Sequence, residues 1–353
     1  MVRAPLGWLG PGQLAEDITV VIEEGRIRDV RSGPPWRTAD APQPSPRIDL
    51  GQLDEVIDVD GFLIPGVVDR HVHVAMSDPG EIVRNGVTAV RDLGWRPEDV
   101  LPLAAASDSP SFDGPTIRAV GPILTCPGGY PTRAGWAPHG TGLELDSTEQ
   151  AVAVVDRVLD ANGIPVVKVA LNSDAGPTLA DHALLAICDA AHRREAIVTV
   201  HAQGRGQVER ALGAGVDEFA HCPWSEVLRE DLIEAIAKRA RIVSTLDIHS
   251  YGSNTPELTV ALDNLRRFLL AGGTVTYGTD LGNGPIPAGI HTGEIAHLFR
   301  AGLSPEGILR ALTFRPIEAG QPADLVALGD NPLQTADAYG EVRLVIRGGR
   351  RVR

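Results

Sequence analysis

Strand-like and helix-like segments alternate between residues 62 and 313, and this alternation restricts the fold more than any other feature of the sequence. Eight runs of apolar and β-branched residues take turns with segments of helical spacing. Strict β–α repetition implies parallel strands with right-handed crossovers. Eight units over about 250 residues match the size of a (β/α)8 barrel, the TIM-like fold of the α/β class. An open doubly wound sheet is the alternative, but no G-x-G-x-x-G follows the first strand.

The pattern predicts strands at 62–74, 86–93, 116–124, 164–171, 196–201, 216–221, 241–246 and 274–279. It predicts helices at 97–106, 151–161, 178–195, 207–214, 229–240, 256–271, 291–301 and 305–313. Ser147 and Gln150 have the spacing of a capping box before the second helix, and Asn162-Gly163 is a stop signal after it.

Both ends of the chain indicate β structure. A hairpin is predicted at 18–31 with its turn at Glu24-Gly25, followed by a surface loop at 33–46 that contains five prolines. Further strands are predicted at 56–60, 323–328 and 342–352. We therefore expect one small β domain formed by residues 1–61 and 318–353, and a barrel formed by residues 62–317.

The composition limits the classes of partner. The formal net charge is −14, from 32 basic and 46 acidic residues, which argues against nucleic-acid binding because such surfaces need clustered Lys and Arg. No apolar run is long enough to cross a membrane, and the N-terminus has no signal-peptide core. Three cysteines, none in a C-x-x-C pair, fit a reducing compartment. We expect a cytoplasmic protein with a small-molecule substrate, and a homo-oligomer is compatible with the sequence.

Two histidines, His71 and His73, stand at the end of the first predicted strand. Residues i and i+2 of a strand point to the same face, so both imidazoles leave the strand on one side. Neutral imidazole is the commonest side-chain metal ligand, although a lone H-x-H also occurs by chance. The pair therefore makes half of a metal coordination shell if other strands supply the remaining ligands.

Other predicted strands supply such groups. Lys168 lies in the fourth strand, His201 and His221 end the fifth and sixth, and Asp280 follows the eighth. In a (β/α)8 barrel the active site forms at the C-terminal ends of the strands. We therefore expect these four side chains to meet the two histidines of the first strand at one end of the barrel.

Some of these residues also have simpler interpretations. A histidine at a strand end is often a core or surface residue, and Asp280 could cap the turn after Gly278-Thr279. Lys168 lies in VVKVAL, where an unpaired charge is costly, and it could form a buried pair with Asp280. The functional alternative is a lysine whose pKa is lowered by burial and nearby cations, so that its neutral amine can react with CO2.

The combined pattern resembles the amidohydrolase superfamily, in the binuclear-metal subgroup with a carboxylated lysine. The matching segments are PGVVDRHVH (65–73), VVKVAL with Lys168, VTVHA with His201, EFAHC with His221 and YGTD with Asp280. At the two ends, VVIEEGRIRDV, VIDVDGFLIPG, QPADLVALGDNPL and VIRGG resemble the family's small β-sandwich domain, and GLSPEGILRALT its closing helices. The CPGGYP loop (126–131) is similar to that of imidazolonepropionase-like enzymes and Xaa-Pro dipeptidases.

The resemblance implies a metal-dependent hydrolase of C–N bonds. One metal would be held by His71, His73 and Asp280 and a second by His201 and His221, with carboxylated Lys168 and a hydroxide bridging them. Asp280 would act as general base and then general acid. The cofactors implied are two divalent metal ions and a CO2-derived carbamate; zinc fits the ligand set best, and manganese, iron and cobalt use similar ligands.

The chain departs from the family pattern at two places. The family's third-loop motif often reads GGH, but Tyr130 stands where that histidine would be, and His139 lies nearby in sequence. The linker 314–322 is also shorter than usual.

Loops after the third, fourth and seventh strands offer candidate substrate contacts: Tyr130, Arg133, His139, Asn172, His249 and Tyr251. Arg133 could bind a substrate carboxylate through two hydrogen bonds, or could be a solvated loop residue. Trp95, Trp136 and Trp224 could form an aromatic wall, although core packing is the commoner role of tryptophan.

The predicted function is hydrolysis of an amide, peptide-like or cyclic amide bond in a small substrate. Two alternatives stay open: a mononuclear deaminase or cyclic-imidate hydrolase of the same superfamily, and a non-catalytic binding protein on the same fold. Mononuclear members commonly lack the bridging lysine, so Lys168 argues against the first, and the complete ligand set argues against the second.

Overall fold

A computed structural model describes residues 1–33, 55–145 and 147–353, which form a mixed α/β fold. The strands are β1 Val2–Gly10, β2 Gln13–Glu23, β3 Arg26–Arg31, β4 Ile57–Asp58, β5 Phe62–Pro65, β6 Val67–Val72, β7 Val87–Asp92, β8 Thr116–Ala119, β9 Ile123–Thr125, β10 Gly142–Glu144, β11 Val166–Asn172, β12 Ile197–Gln203, β13 Glu218–Phe219, β14 Arg241–Val243, β15 Val275–Thr276, β16 Leu325–Leu328, β17 Val342–Arg347 and β18 Arg350–Arg351.

The α-helices are α1 Pro79–Arg84, α2 Pro97–Ala106, α3 Thr148–Asn162, α4 Asp181–Arg193, α5 Gln207–Gly213, α6 Glu230–Arg239, α7 Pro256–Leu270, α8 Thr292–Ala301 and α9 Pro305–Leu312. The predicted signals of α3 are confirmed: the Ser147 side chain accepts from the backbone N–H of Gln150, and Gly163 ends the helix in the left-handed region at φ 64°. Its buried positions, Ala151, Val154, Val155, Val158 and Leu159, recur at helical spacing and face the sheet.

Two parallel sheets carry the predicted β–α units. One has the order β6-β7-β8 and the other the order β10-β9-β11-β12-β13-β14-β15. Isolated bridges join Val72 to Leu281 and Val67 to Thr313, so the first strand of one sheet lies beside the last strand region of the other. In the described part of the chain the ladders do not close into one eight-stranded ring. The parallel α/β arrangement is confirmed, and the closed barrel stays a prediction.

The two ends of the chain meet in one sheet. Its order is β18-β17-β16-β5-β1-β2-β3, with β4 paired to β1. The sheet curls so that β3, at its edge, approaches the segment before β16. There the backbone N–H of Ile27 donates to the carbonyl of Gln321 at 2.9 Å. It encloses a small core of its own, which includes Val2, Ile18 and Leu325. The division into sandwich and barrel domains stays a prediction.

The stretch 62–74 is not one strand. Phe62–Pro65 pairs in the end sheet, and Val67–Val72 begins the parallel sheets. Gly66 lies between them in a place with no room for a side chain, since a Cβ there would be 2.5 Å from Oγ1 of Thr88. A small residue therefore allows the chain to cross from one sheet to the other.

Other differences concern the extent of elements. The predicted strand 116–124 is wrong as one element, because β8 and β9 belong to different sheets and are separated at Gly121, which has φ 80°. The strand β1 and the helix α1 were not predicted. The predicted loop at 33–46 lies almost wholly outside the described residues. Among those that are described, no helix is both long and apolar enough to span a membrane.

Candidate metal centre

Two neighbouring histidines and a distant aspartate converge near the ends of β6 and β15. Oδ1 of Asp280 lies 3.3 Å from Nε2 of His71 and 3.3 Å from Nε2 of His73. One ligand atom of each residue lies within 4.8 Å of the others, and all three residues are buried. Two nitrogens and a carboxylate oxygen at this spacing are a donor set that zinc and related divalent cations accept.

Backbone carbonyls orient the two histidine rings. Nδ1 of His71 is 2.8 Å from the carbonyl oxygen of Ala220, and Nδ1 of His73 is 2.9 Å from that of Gly94. Donation from Nδ1 leaves the lone pair on Nε2, the nitrogen that faces Asp280. The local structure therefore selects the tautomer that a metal needs.

Two further buried carboxylates hold the backbone around these ligands. Asp69 accepts from the backbone N–H of His71 and from the hydroxyl of Thr279, at 3.1 and 2.5 Å. Asp92 accepts from the N–H groups of Val74 and Gly94, at 2.8 and 3.0 Å. These bonds fix the segments that carry the histidines, and sequence reasoning missed both aspartates.

Asp280 itself is held in an uncommon conformation. Its φ is +60°, and its backbone N–H donates to the carbonyl of His71 at 2.8 Å. A non-glycine residue in this region costs about 1–3 kcal/mol, so the surrounding structure must enforce it. Burial alone would raise the pKa of the Asp280 carboxyl, but the charge of His71, the charge and hydrogen bond of His73 and the hydrogen bond of Asn283 lower it to about 2. Asp280 is therefore ionised at neutral pH and ready to bind a cation.

His201 and His221 form a second pair beside the first group. Nδ1 of His201 is 2.9 Å from Nε2 of His221. The outer nitrogens have other partners: Nδ1 of His221 is 2.9 Å from Oγ1 of Thr245, and Nε2 of His201 is 3.3 Å from Oε1 of Gln203. When the outer nitrogens carry the protons, the inner lone pairs face each other, and this arrangement suits a shared cation.

The histidine rings are poor bases in these surroundings. Burial lowers the pKa of His201 to about 3 and holds the pKa values of His71 and His221 well below the usual one. The pKa of His73 is raised, because Asp280 outweighs the effect of burial. Neutral imidazole is the form that binds metal, so three of the four rings are already in that form at pH 7.

Lys168 lies in β11 and is 2% exposed. In the ladder Lys168 pairs with Thr199, which is two residues before His201. The side chains of Lys168 and His201 therefore lie on the same face of the sheet. Its Nζ has no hydrogen-bond partner among the described residues, so the simpler interpretation, a direct pair with Asp280, is not formed there. Burial lowers the pKa of Lys168 to about 7, against the opposing charge of Asp280. An unpartnered amine with a lowered pKa, beside a candidate ligand set, is consistent with modification by CO2.

The candidate substrate contacts divide into two groups. Tyr130 stacks on His201 at 4.9 Å between ring centroids, Asn172 donates to Oε1 of Gln203 at 2.9 Å, and His249 stacks on Trp224 at 4.3 Å. These three border the histidine cluster.

Arg133, His139 and Tyr251 are exposed instead. In the described part of the chain, Arg133 and His139 neither hydrogen-bond to nor stack on any of the six candidate ligands. His139 therefore does not replace the missing loop histidine, and Tyr130 takes the place beside His201. Tyr251 lies over Gly284, where a Cβ would be 2.8 Å from its ring.

A second buried cluster, which the sequence did not reveal, lies behind the loop that carries His249. Its centre is Asp247, whose Oδ2 is 2.7 Å from Nε2 of His291 and whose Oδ1 is 3.1 Å from Nε2 of His297. Asp247 also accepts from the hydroxyl of Ser250 at 2.5 Å. The cluster ties the loop after β14 to the start of α8 and to its buried face. No spacing rule links these residues, and only their burial in the fold reveals them.

The fold and the strand-end ligand set together define a class of enzyme. The model of the amidohydrolase family matches residues 62–352. The chain therefore belongs to the amidohydrolase family, and it is a hydrolase that acts on C–N bonds.

Individual relatives are distant. The chain is 24% identical to the ochratoxinase of Aspergillus niger over 360 residues, covering 80% of this chain and 73% of that protein. It is 26% identical to adenine deaminase 2 of Rhizobium etli over 363 residues, covering 96% of this chain and 56% of that protein. Among solved structures, a Xaa-Pro dipeptidase with bound methionine superposes with a TM-score of 0.79 at 21% identity, over 99% of this chain and 98% of the other. This superposition supports the fold alone.

Proposed function

We propose that this protein hydrolyses an amide bond in a small substrate with the help of two divalent metal ions. His71, His73 and Asp280 would hold one ion, and His201 and His221 the other. The observation that carries the proposal is the convergence of the first three ligand atoms within 4.8 Å of one another. The 2.9 Å approach of Nδ1 of His201 to Nε2 of His221 and the unpartnered Nζ of Lys168 support the second ion.

The donor set fits such a cofactor because it is buried, mostly uncharged at the histidines and anionic at Asp280. When bound, two divalent cations supply a nucleophile at neutral pH and polarise the scissile carbonyl. Zinc suits nitrogen and carboxylate ligands, and manganese, iron and cobalt are alternatives.

The chain's own residues account for the proton transfers. Asp280 accepts the proton of the attacking water at a carboxylate oxygen and later delivers it to the leaving nitrogen. Its pKa of about 2 keeps it ionised before the reaction. Asn283 donates to Oδ1 of Asp280 at 2.8 Å and orients the carboxylate. Among the substrate contacts, His249 has a buried Nε2 without a hydrogen-bond partner in the described residues, and it can donate to a bound amide.

Lys168 would carry a carbamate. Its neutral amine forms an N–C bond to CO2 and loses one proton, which leaves a carboxylate with one negative charge. The modification would replace the unpartnered Nζ by a carboxylate, a group that divalent cations accept as a ligand. This change also removes the cost of burying an ammonium group.

The remaining architectural proposals follow from the same resemblance. We infer that residues 62–317 form the catalytic (β/α)8 barrel and that residues 1–61 and 318–353 form the small β-sandwich domain. The bridge between Val72 and Leu281 supports closure of the barrel, because it joins its first and last strand regions.

The test combines metal analysis with a panel of dipeptides, N-acyl amino acids and lactams. We expect about two metal ions per chain in active protein, loss of hydrolysis after chelation, and its return with zinc. A carbamate signal on Lys168 in 13C-bicarbonate, detected by NMR, reports the modification separately. One metal or none per chain, together with full hydrolysis by Lys168→Ala, would refute the binuclear mechanism.

A deaminase is the second candidate, favoured by the similarity to adenine deaminase 2. The two activities differ in product, since a deaminase releases ammonia from a heterocycle. Ammonia release from adenine by protein with one metal per chain would establish this alternative. Absence of any turnover in metal-replete protein would point to a binding protein instead.

A further inference from the structure

A row of aromatic rings borders the histidine cluster. Along the row, Trp95 stacks on Trp136 at 6.3 Å between centroids, Trp136 lies 6.2 Å from Tyr130, and Tyr130 stacks on His201 at 4.9 Å. It continues through Trp224, which is 5.6 Å from His201. We call Tyr130, Trp136 and Trp224 the aromatic arc, because these three rings touch candidate ligands.

The arc borders both proposed metal positions. Trp136 lies 5.0 Å from His73, in the first ligand group. Trp224 lies 5.3 Å from His221 and Tyr130 lies 4.9 Å from His201, both in the second group. A substrate whose amide reaches either metal position therefore has an aromatic side chain within reach of its neighbouring group.

These rings are not simply part of the core. All three are only half-buried, whereas Trp8 in the end sheet is 2% exposed. Tyr130 and Trp136 already satisfy each other, since Nε1 of Trp136 donates to the Tyr130 hydroxyl at 3.2 Å. Aromatic ring surface that stays accessible gains free energy when a flat apolar group covers it.

The charges around the arc argue against recognition of an anionic substrate group as the main source of specificity. Arg133 is exposed and packs against Gly128, and Lys168 is buried and belongs to the ligand set. No described hydrogen bond or ion pair brings a cationic side chain onto the rings of the arc. Recognition here must come mostly from shape and ring stacking.

We propose that the aromatic arc selects substrates that carry a planar aromatic group next to the scissile amide. This inference rests on the proposed amide hydrolysis, because it defines which amides the same site accepts. The aromatic group of the substrate packs against the rings of the arc in offset or edge-to-face contact.

The test compares two substrates whose six-membered ring is either flat and aromatic or saturated, N-benzoylglycine and N-cyclohexanecarbonylglycine. Both have the same charge and amide. We expect kcat/KM to be about tenfold higher for the benzoyl compound, the scale of an aromatic pair interaction. Trp224→Leu is expected to bring the ratio near one, and Trp224→Phe to restore much of it. Phe314→Leu, at an aromatic residue 71% exposed, is the matched control and keeps the ratio.

Binding supplies a readout that does not depend on turnover. Benzoate is expected to bind about tenfold more tightly than cyclohexanecarboxylate in calorimetry, and Trp224→Leu to remove the difference. If neither amide is hydrolysed but benzoate still binds more tightly than cyclohexanecarboxylate, the proposed function is wrong and the aromatic site is supported.

Two results would overturn the aromatic site. One is hydrolysis of both amides at equal kcat/KM, which leaves the hydrolase function intact. The other is preferential binding of a quaternary-ammonium probe, such as tetramethylammonium, over benzene-ring compounds, because it would make the arc a cation cage.

Discussion

Two aspartates of this protein each lie between two histidines, yet their surroundings differ. Asp280 is 3.3 Å from the nearest ring nitrogens of His71 and His73, whereas Asp247 is 2.7 and 3.1 Å from those of its own two histidines. Asp247 also accepts from the Ser250 hydroxyl and a backbone N–H, so donors surround it. Apart from the two histidines, Asp280 has one side-chain hydrogen-bond donor among the described residues, the amide of Asn283.

The difference separates a candidate metal ligand, Asp280, from a carboxylate that joins two parts of the fold, Asp247. Both carboxyls have a pKa lowered to about 2, so the shift by itself does not distinguish them. A carboxylate already filled by short hydrogen bonds stabilises the fold, and one with free lone pairs can bind a cation. We therefore expect changes at Asp280 to affect activity and changes at Asp247 to affect stability.

The largest effect is expected for Asp280→Asn. The amide keeps the shape and the contact with Asn283 but loses the charge and the proton-accepting group, so kcat/KM should fall by on the order of 10³-fold or more. Metal content per chain should fall as well. Steady-state kinetics and metal analysis measure both effects, and the free energy of unfolding should change little. Activity within tenfold of the unmodified protein would remove Asp280 from the mechanism.

The next effect is expected for Asp247→Ala. Loss of the buried acceptor leaves Ser250, Gly252 and two histidines without their partner, so the free energy of unfolding should fall by about 3 kcal/mol. Urea unfolding of the purified protein measures it, and metal stoichiometry should be retained. Asp58→Ala is the control, because its pair with Arg3 is exposed and its loss should change stability little. Equal stability of both variants would contradict the structural role of Asp247.

The smallest effect is expected for Lys168→Met in metal-free protein. Its folded pKa of about 7 lies below the unfolded value of about 10.4, so burial of the lysine destabilises the fold. The methionine variant should therefore be more stable below pH 7, where the buried ammonium group costs the most. The difference should shrink as the pH rises from 7 towards 10, where the unfolded chain also releases the proton.

Chemical unfolding at several pH values measures this effect, and Lys238→Met, at a surface lysine, is the control. A methionine variant that is less stable at every pH would show that Lys168 contributes to the fold through contacts. The gain in stability would illustrate the usual conflict between a buried functional group and stability.

Much of the site could be predicted from the sequence because its ligands follow strands. Strand ends are marked by apolar runs that stop, and parallel strands place those ends at one edge. This reasoning found His71 and Asp280, which lie 3.3 Å apart in the structure although about 200 residues separate them. It did not find Asp69, which lies inside β6, or Asp92, which ends β7 but accepts hydrogen bonds from the backbone of the neighbouring segments.

The elements of the fold likewise divide into those that local sequence signals predict and those that depend on tertiary packing. Periodicity and capping residues located α3 and most β–α units, since those signals are local. They did not show that 62–74 and 116–124 each divide between two sheets, because the division depends on close packing at Gly66 and a left-handed residue at Gly121.

The sequence by itself determined the order of β–α units, the residue types at the strand ends and the membership in the amidohydrolase family. Only the tertiary structure decided which nitrogen of each histidine faces inward, that Tyr130 stacks on His201, and that His139 lies away from the cluster. The reason is physical: strand ends follow from local patterns of burial. Ring orientation and loop position instead depend on hydrogen bonds and packing between segments that are distant in the chain.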